Sequence, residues 1–314
     1  MDIKNLLREH PAWLAHLESL GGFEARPPAP GDLLGELMRL TVPHEDVAGV
    51  ITSAPEPGTP QWWLLERCVH SLVSAIDVRD DPPFFPDLPE LGPYFYVHVF
   101  MAALPYTREF HRARGIPEEV SHETLADIGR NMAVHRKRHG GPGLHAPFWY
   151  MAHVRGILYQ LGRLQFARDR MAGRTLEAVR AAGVPVGEDG RTLGLHIPDF
   201  CGPFPPSACA DSLERARAFF PKHFPEEDYP VVTCSSWLLD DQFAQYLPAS
   251  SNIMSFQRRF RLLHRFETSG MMDFVFGADA KADPLPRRTS LERAIADHLA
   301  AGGTWYGRAG WLPL

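Results

Sequence analysis

Thr192-Leu193-Gly194-Leu195-His196-Ile197-Pro198, then Pro205-Pro206-Ser207 opening a run to Phe220, then Tyr229-Pro230-Val231-Val232-Thr233-Cys234-Ser235-Ser236-Trp237-Leu238-Leu239: these three segments decide the fold. The outer two have strand composition. The middle one places Leu213, Ala216, Phe219 and Phe220 on one helical face behind a Ser cap. A strand–helix–strand crossover makes its two strands parallel neighbours. Upstream, Tyr159–Arg168 comes close to alternating polar with apolar residues, and the turn-rich 183–190 segment returns it antiparallel to Thr192–Pro198. Downstream come a short helix from Asp240 or Asp241 to near Pro248, a long strand candidate at Ile253–Leu263, a short one at Asp273–Phe276, a helix from Ser290 to Ala301, and an apolar tail with Trp305 and Trp311. The expectation is a mixed sheet with one parallel step. The carboxyl end of the first crossover strand then faces the amino end of the helix, where unpaired N–H groups hold anions.

Residues 1–150 read as helices. Leu6, Leu7, Trp13, Leu14 and Leu17 recur at helical spacing, as do Leu33, Leu34, Leu37, Met38 and Leu40, and then Trp63, Leu64, Cys68, Leu72, Val73 and Ile76. The segment Asp81-Pro82-Pro83-Phe84-Phe85-Pro86-Asp87-Leu88-Pro89 cannot be helical and reads as an ordered loop or lid. Helical spacing resumes over Tyr94–Ala113, broken or kinked at Pro105. It returns from an N-cap at Ser121 to His139, with a Gly-rich stop, and again over about Pro147–Leu158. The fold class is α+β: a helical N-terminal domain over 1–150, then a mixed-sheet domain with flanking helices over 151–314.

The 314 residues hold 32 Lys plus Arg against 38 Asp plus Glu, a net charge of −6 that disfavours a nucleic-acid binder held by phosphate contacts. The most apolar window, Tyr94–Leu104, is too short to span a bilayer and contains His98. The charged N-terminus lacks the form of a secretory signal, so the expected setting is cytoplasmic. Cys68, Cys201, Cys209 and Cys234 lack C-x-x-C spacing and read as reduced thiols.

At Gly162-Arg163-Leu164-Gln165-Phe166, His196-Ile197-Pro198, Ser236-Trp237-Leu238-Leu239-Asp240, Tyr246-Leu247-Pro248, Ser251-Asn252-Ile253 and Phe256-Gln257-Arg258-Arg259-Phe260 the chain resembles the GNAT acyltransferase superfamily. More closely, it is similar to an actinobacterial family of acyltransferase-domain proteins with a helical N-terminal domain and a GNAT-like C-terminal domain. The resemblance spans nearly the whole chain. It implies transfer of an acyl group from a thioester, on coenzyme A or on an acyl carrier protein, to an amine or similar small-molecule acceptor. A non-catalytic binding protein that keeps the fold is the alternative. GNAT enzymes carry Q/R-x-x-G-x-G/A at the strand-to-helix loop, where backbone amides take the pyrophosphate of acyl-CoA. Here that loop runs from Asp199 to Ser207 with one Gly and three Pro, which supplies fewer N–H donors. Gly202, Ser207, Trp237 and Asn252 are the candidate coenzyme contacts.

Amine acylation needs a base, donors toward the developing oxyanion, and an acid for the thiolate. His196, at the end of its strand, is the candidate base, because an unperturbed imidazole titrates near ~6.5. Tyr246 is the candidate acid by resemblance, and Ser235 or Ser236 can donate toward an acyl oxygen. Arg163, Gln165 and Asp240 are candidate substrate contacts, Asp240 alternatively capping the next helix. Cys234 and His196, on neighbouring strands, are a candidate nucleophile–base pair. His135 and His139, near His145 and His153, invite a metal reading. The intervening Arg136-Lys137-Arg138 argues against it, so no metal is expected. With Arg130 and Arg163 the same run can instead attract phosphate or an acidic carrier protein.

Overall fold

The structure, a computed structural model, describes residues 3–78, 80–144, 146–171, 173–199, 201–268 and 270–314. His145 and Phe200, both part of the sequence readings above, lie outside the described residues. The chain divides into two compact units, one of residues 1–136 with 140–159 and one of 137–139 with 160–314.

The first unit is helical: α1 (Ile3–Leu7), α2 (Pro11–Ser19), α3 (Pro30–Arg39), α4 (His44–Thr52), α5 (Pro60–Ser74), α6 (Phe95–Ala113), α7 (Glu118–Leu125), α8 (Asp127–His139, its last turn in the other unit) and α9 (Pro147–Val154). Apolar faces of α2, α5 and α6 bury Trp13, Leu17, Leu64, Leu65, Val97 and Phe100 in one core. The Pro-rich loop is fastened to it through Phe85, which stacks on Tyr96 and Phe100 at ring separations of 5.6 and 6.2 Å. Pro105 sits inside α6 without ending it. Ser121 is not an N-cap. It lies within α7, where its hydroxyl meets His111 Nδ1 at 2.7 Å.

The second unit carries a six-stranded mixed sheet, its first strand beginning at Leu158. In chain order come β1 (Leu158–Leu161), β2 (Leu164–Arg170), α10 (Gly173–Ala181), β3 (Arg191–His196), α11 (Pro206–His223), β4 (Val231–Ser236), α12 (Asn252–Gln257), β5 (Arg261–Glu267), α13 (Gly270–Phe276), α14 (Ser290–Ala300) and β6 (Tyr306–Pro313). The sheet order is β1-β2-β3-β4-β6-β5. β3 runs parallel to β4, while β2–β3, β4–β6 and β5–β6 are antiparallel. This is the expected mixed α+β arrangement with its single parallel crossover.

Several boundaries differ from the sequence reading. The alternating run 159–168 is a hairpin rather than one strand, because Gly162 takes a left-handed φ of +76° and turns the chain. Ile253–Leu263 is α12 followed by the start of β5, since Ser251 accepts from Met254 N and caps a helix. Asp273–Phe276 belongs to α13. Pro205 rather than Ser207 occupies the N-cap of α11. The apolar tail is β6, paired on both sides.

Helices cover the two faces differently. One face carries Arg168, whose guanidinium bonds Glu227 twice, at 2.9 and 2.8 Å, and lies 3.8 Å over the Phe224 ring just beyond α11. On the other face, α10 packs Val179 and Leu176 against Val231 and Trp311 at the start of β4 and the end of β6. Ser212 of α11 fixes the hairpin turn: its buried hydroxyl accepts from Arg163 N at 2.9 Å and Leu164 N at 3.2 Å and donates to the Ala208 carbonyl at 3.0 Å. Ser212→Ala leaves those two buried N–H groups without their acceptor. It is expected to lower the unfolding free energy by about 1–3 kcal/mol, read from urea denaturation.

Candidate active site

β3 and β4 pair at only two positions, Leu193↔Val232 and Gly194↔Thr233. Both strands continue, but with their outer neighbours: His196 opposes Gln165 of β2, and Ser235 and Ser236 oppose Ala309 and Arg308 of β6. The sheet therefore divides at its parallel step, and backbone groups that a ladder would use border the opening on both sides.

Strand alternation sorts the side chains at this opening. Gly194 is level with Thr233, so His196 and Ser235 share one face, joined by Gln165 and Asp169 through the β2–β3 register. Cys234 and Ser236 point to the other face. His196 is half-buried. A Cβ built on Gly194 would lie 3.6 Å from His196 Nε2 and 3.2 Å from Asp169 Oδ2, so both side chains lie over this glycine. Asp169 escaped the sequence reading; the alternation of β2 together with the correct hairpin boundary would have found it.

This geometry corrects the Cys234–His196 pair. Cys234 lies on the opposite face, is 4% exposed, and burial pushes its thiol up to about 12, so it is no thiolate nucleophile. Ser236 is a cap, accepting from Leu238 N at 3.1 Å at the start of the 3-10 turn Trp237–Leu239. Its neighbour Ser235 is exposed on the face of His196.

Arg163 is in the hairpin turn rather than on a strand face. Its guanidinium donates to the Gly202 carbonyl at 2.8 Å through Nη2, and through Nε to Gly202 and Pro203 at 3.1 and 3.2 Å. It thus holds the β3–α11 loop, with Gly202 in a left-handed turn at φ +69°. Its buried Nη1 has no acceptor, and burial lowers its pKa. Other cations frame the loop: Arg138 meets Asp199 at 3.4 Å, and Arg259 donates to the Pro206 carbonyl at 2.7 Å. Ser207 is in the first turn of α11, where Ser207 and Ala208 have N–H groups with no acceptor inside the helix.

The remaining candidates serve the wall beyond β4. Asp240 is fully buried, not a ligand surface: Oδ1 accepts from Gln242 N at 3.1 Å, and Oδ2 from Tyr306 N at 2.8 Å and Gln242 Nε2 at 3.0 Å. Gln257, unnoticed in the sequence, donates to the Leu238 and Asp240 carbonyls at 2.9 and 2.8 Å. Tyr246 joins an aromatic cluster with Phe243 and Trp305, its hydroxyl 3.0 Å from His298 Nδ1. Because His298 Nε2 lies 3.2 Å from the Thr304 carbonyl, Nε2 carries the proton, and in the neutral ring Nδ1 accepts from Tyr246. Trp237 packs on this cluster, half-buried, and Asn252 opens α12.

The histidine- and arginine-rich run of α8 does not gather into one site. Arg130 pairs with Glu123, Arg136 with Asp46, Arg138 with Asp199, and His153 with Asp127 at 3.1 Å. Among the described residues no cluster of three or more His, Cys, Asp or Glu is arranged to hold a metal ion. Nor is any of their helices long and apolar enough to cross a membrane.

Residues 32–156 match the model of the N-acyltransferase N-terminal domain, and residues 158–312 that of the GNAT-like C-terminal domain. Solved structures similar over 100% of both chains include an acyltransferase in complex with decanoyl-CoA, 38% identical with a TM-score of 0.86. Two further acyltransferase structures are 37% identical over the same extent: one in complex with decanoyl-CoA and teicoplanin, TM-score 0.85, and one in complex with CoA and 10C-Teicoplanin, TM-score 0.86. No curated protein matches the chain.

The burial of Cys234 has a direct consequence. In the native protein at pH 8, a water-soluble disulfide reagent is expected to modify half-buried Cys201 well before Cys234, which becomes reactive only on unfolding; peptide mapping reads the order.

Proposed function

The chain belongs to the acyltransferases that join an N-acyltransferase N-terminal domain to a GNAT-like C-terminal domain, and on that premise we propose that its reaction is run at the opening between β3 and β4, with His196 as general base. The enzyme is a GNAT-like acyltransferase whose acyl donor is a coenzyme A thioester. Octanoyl- and decanoyl-CoA, the donors bound by its relatives, are the expected chain lengths. The acceptor is proposed to be an amine on a teicoplanin-like glycopeptide, which fits the N-acyltransferase domain and the relative that binds teicoplanin. These relatives favour acyl-CoA over a carrier-protein donor. A cytoplasmic setting suits a reaction that consumes acyl-CoA.

The single observation that carries this reading is the two-pair ladder of β3 and β4. A pantetheine arm has amide groups that can use the backbone donors and acceptors left along such an opening, which directs the thioester toward the strand ends. The coenzyme's phosphates would meet the start of α11. There the glycines of the usual loop are replaced by first-turn N–H groups of Ser207 and Ala208 and by the cations Arg163 and Arg259. The amine nitrogen attacks the thioester carbon, a C–N bond forms as the C–S bond breaks, and the imidazole of His196 takes the amine proton. Asp169 beside Gly194 stabilises the imidazolium so formed. Ser235 is placed to donate toward the acyl oxygen from the opposite edge. Tyr246, whose hydroxyl is engaged by His298, supports the wall, and the thiolate recovers its proton from His196.

Decanoyl-CoA is expected to raise the melting temperature of the protein by mass action. His196→Ala should lower kcat by about 10²–10⁴ while leaving the decanoyl-CoA Kd unchanged, measured by CoA release with teicoplanin as acceptor and by calorimetry. Unchanged turnover would remove His196 from the mechanism.

A further inference from the structure

Gln165 is 1% exposed, yet its side-chain Nε2 has no hydrogen-bond partner. The other buried glutamines are treated differently. Gln257 Nε2 donates to two backbone carbonyls, and Gln160 Nε2 donates to the Gly162 carbonyl at 2.6 Å and that of Leu164 at 3.4 Å. Leaving a buried amide donor unpaired is costly, and such groups in folded proteins call for an explanation.

The position of Gln165 supplies one. It is the direct cross-strand partner of His196, so the two side chains stand on the same face with Cβ atoms roughly 5 Å apart. The order across the sheet is then the β3–β4 opening, His196 on β3, and Gln165 one strand beyond on β2. Gln165 lies one strand spacing, about 4.8 Å, beyond β3 from the opening, so the base stands between it and a thioester held there. The amine must lie beside the base, so the part of the acceptor next to its amine reaches Gln165.

We propose that Gln165 is an acceptor-binding residue: its Nε2 donates to an oxygen, hydroxyl or carbonyl, carried a few bonds from the reacting amine, and this contact sets the amine toward His196. The substrate class is thereby narrowed to amines with a neighbouring oxygen. The inference rests on the placement of the reaction at the β3–β4 opening.

The test compares wild type, Gln165→Met and Gln165→Glu with decanoyl-CoA as donor and teicoplanin as acceptor. Methionine keeps the length and removes the donor; glutamate keeps the shape and offers only acceptors. Both variants are expected to lose about 10- to 100-fold in kcat/KM for teicoplanin. They should retain wild-type decanoyl-CoA affinity and the slow hydrolysis of decanoyl-CoA in the absence of acceptor. Gln165→Met should melt at the wild-type temperature or above it, because it removes an unpaired buried group. Unchanged teicoplanin kinetics, tighter teicoplanin binding by Gln165→Glu, a parallel loss of donor binding or hydrolysis, or a melting temperature lowered as far as in Ser212→Ala would each overturn the assignment. A wild type that hydrolyses decanoyl-CoA but ignores teicoplanin defeats the acceptor named above. Gln165 is then judged with ethanolamine and propylamine as acceptors, where only the wild type should favour the oxygen-bearing amine, and the absence of that preference overturns the proposal.

Discussion

The short ladder between β3 and β4 is the constraint from which the site follows. A parallel pair normally continues as far as both strands do, because each backbone N–H and C=O needs a partner. Here the strands separate after Gly194 and Thr233, and each continues on its outer neighbour alone. Their outer pairings are long: six residue pairs join β2 to β3 and six join β4 to β6, so each half of the sheet is secured independently of the division. The fold can leave its middle open because its edges are well paired.

What surrounds the opening divides into supports and the groups proposed to react. Ser212, Gln257 and Asp240 have their polar atoms consumed by backbone partners, and each joins two segments: the hairpin turn to α11, α12 to the turn after β4, and that turn to β6. Arg163 does the same for the loop after β3 but retains a buried Nη1 with no acceptor. His196 and Ser235 sit instead toward the carboxyl ends of β3 and β4 on a single face, which Asp169 shares from a position level with Thr192. This is the arrangement expected in open sheets, where ligands bind at the carboxyl ends of parallel strands and rigid elements fix the chemistry.

The architecture was legible because its signals are long. The crossover β3–α11–β4 is declared by two β-rich runs around an amphipathic helix of 18 residues, and no tertiary contact is needed to read it. Short elements were not legible. Ile253, Met254 and Phe256 form an apolar run that suits strand or helix equally, and only the Ser251 cap decides between them. The run 159–168 alternates through Gly162, so its turn depends on one left-handed residue, and missing that turn put Arg163 on a strand face that it does not occupy. Site residues were legible by type more than by role. His196 was marked by its strand end and Asp240 by its capping position, whereas Ser236 and Tyr246 carry chemistry-bearing groups whose local hydrogen bonds no spacing rule reveals.

Face, rather than sequence proximity, separates the reactive from the structural side chains. Cys234 and Ser235 are adjacent, yet one is buried with its thiol held neutral and the other is exposed on the face of His196; a shift of one residue in the β3–β4 register would exchange them. Gly194 matters for the same reason. A Cβ there would lie 3.2 Å from Asp169 Oδ2 and 3.6 Å from His196 Nε2, so an added side chain would crowd the carboxylate first. A glycine weakens a strand, and the fold tolerates this one because β3 is paired along its full length to β2.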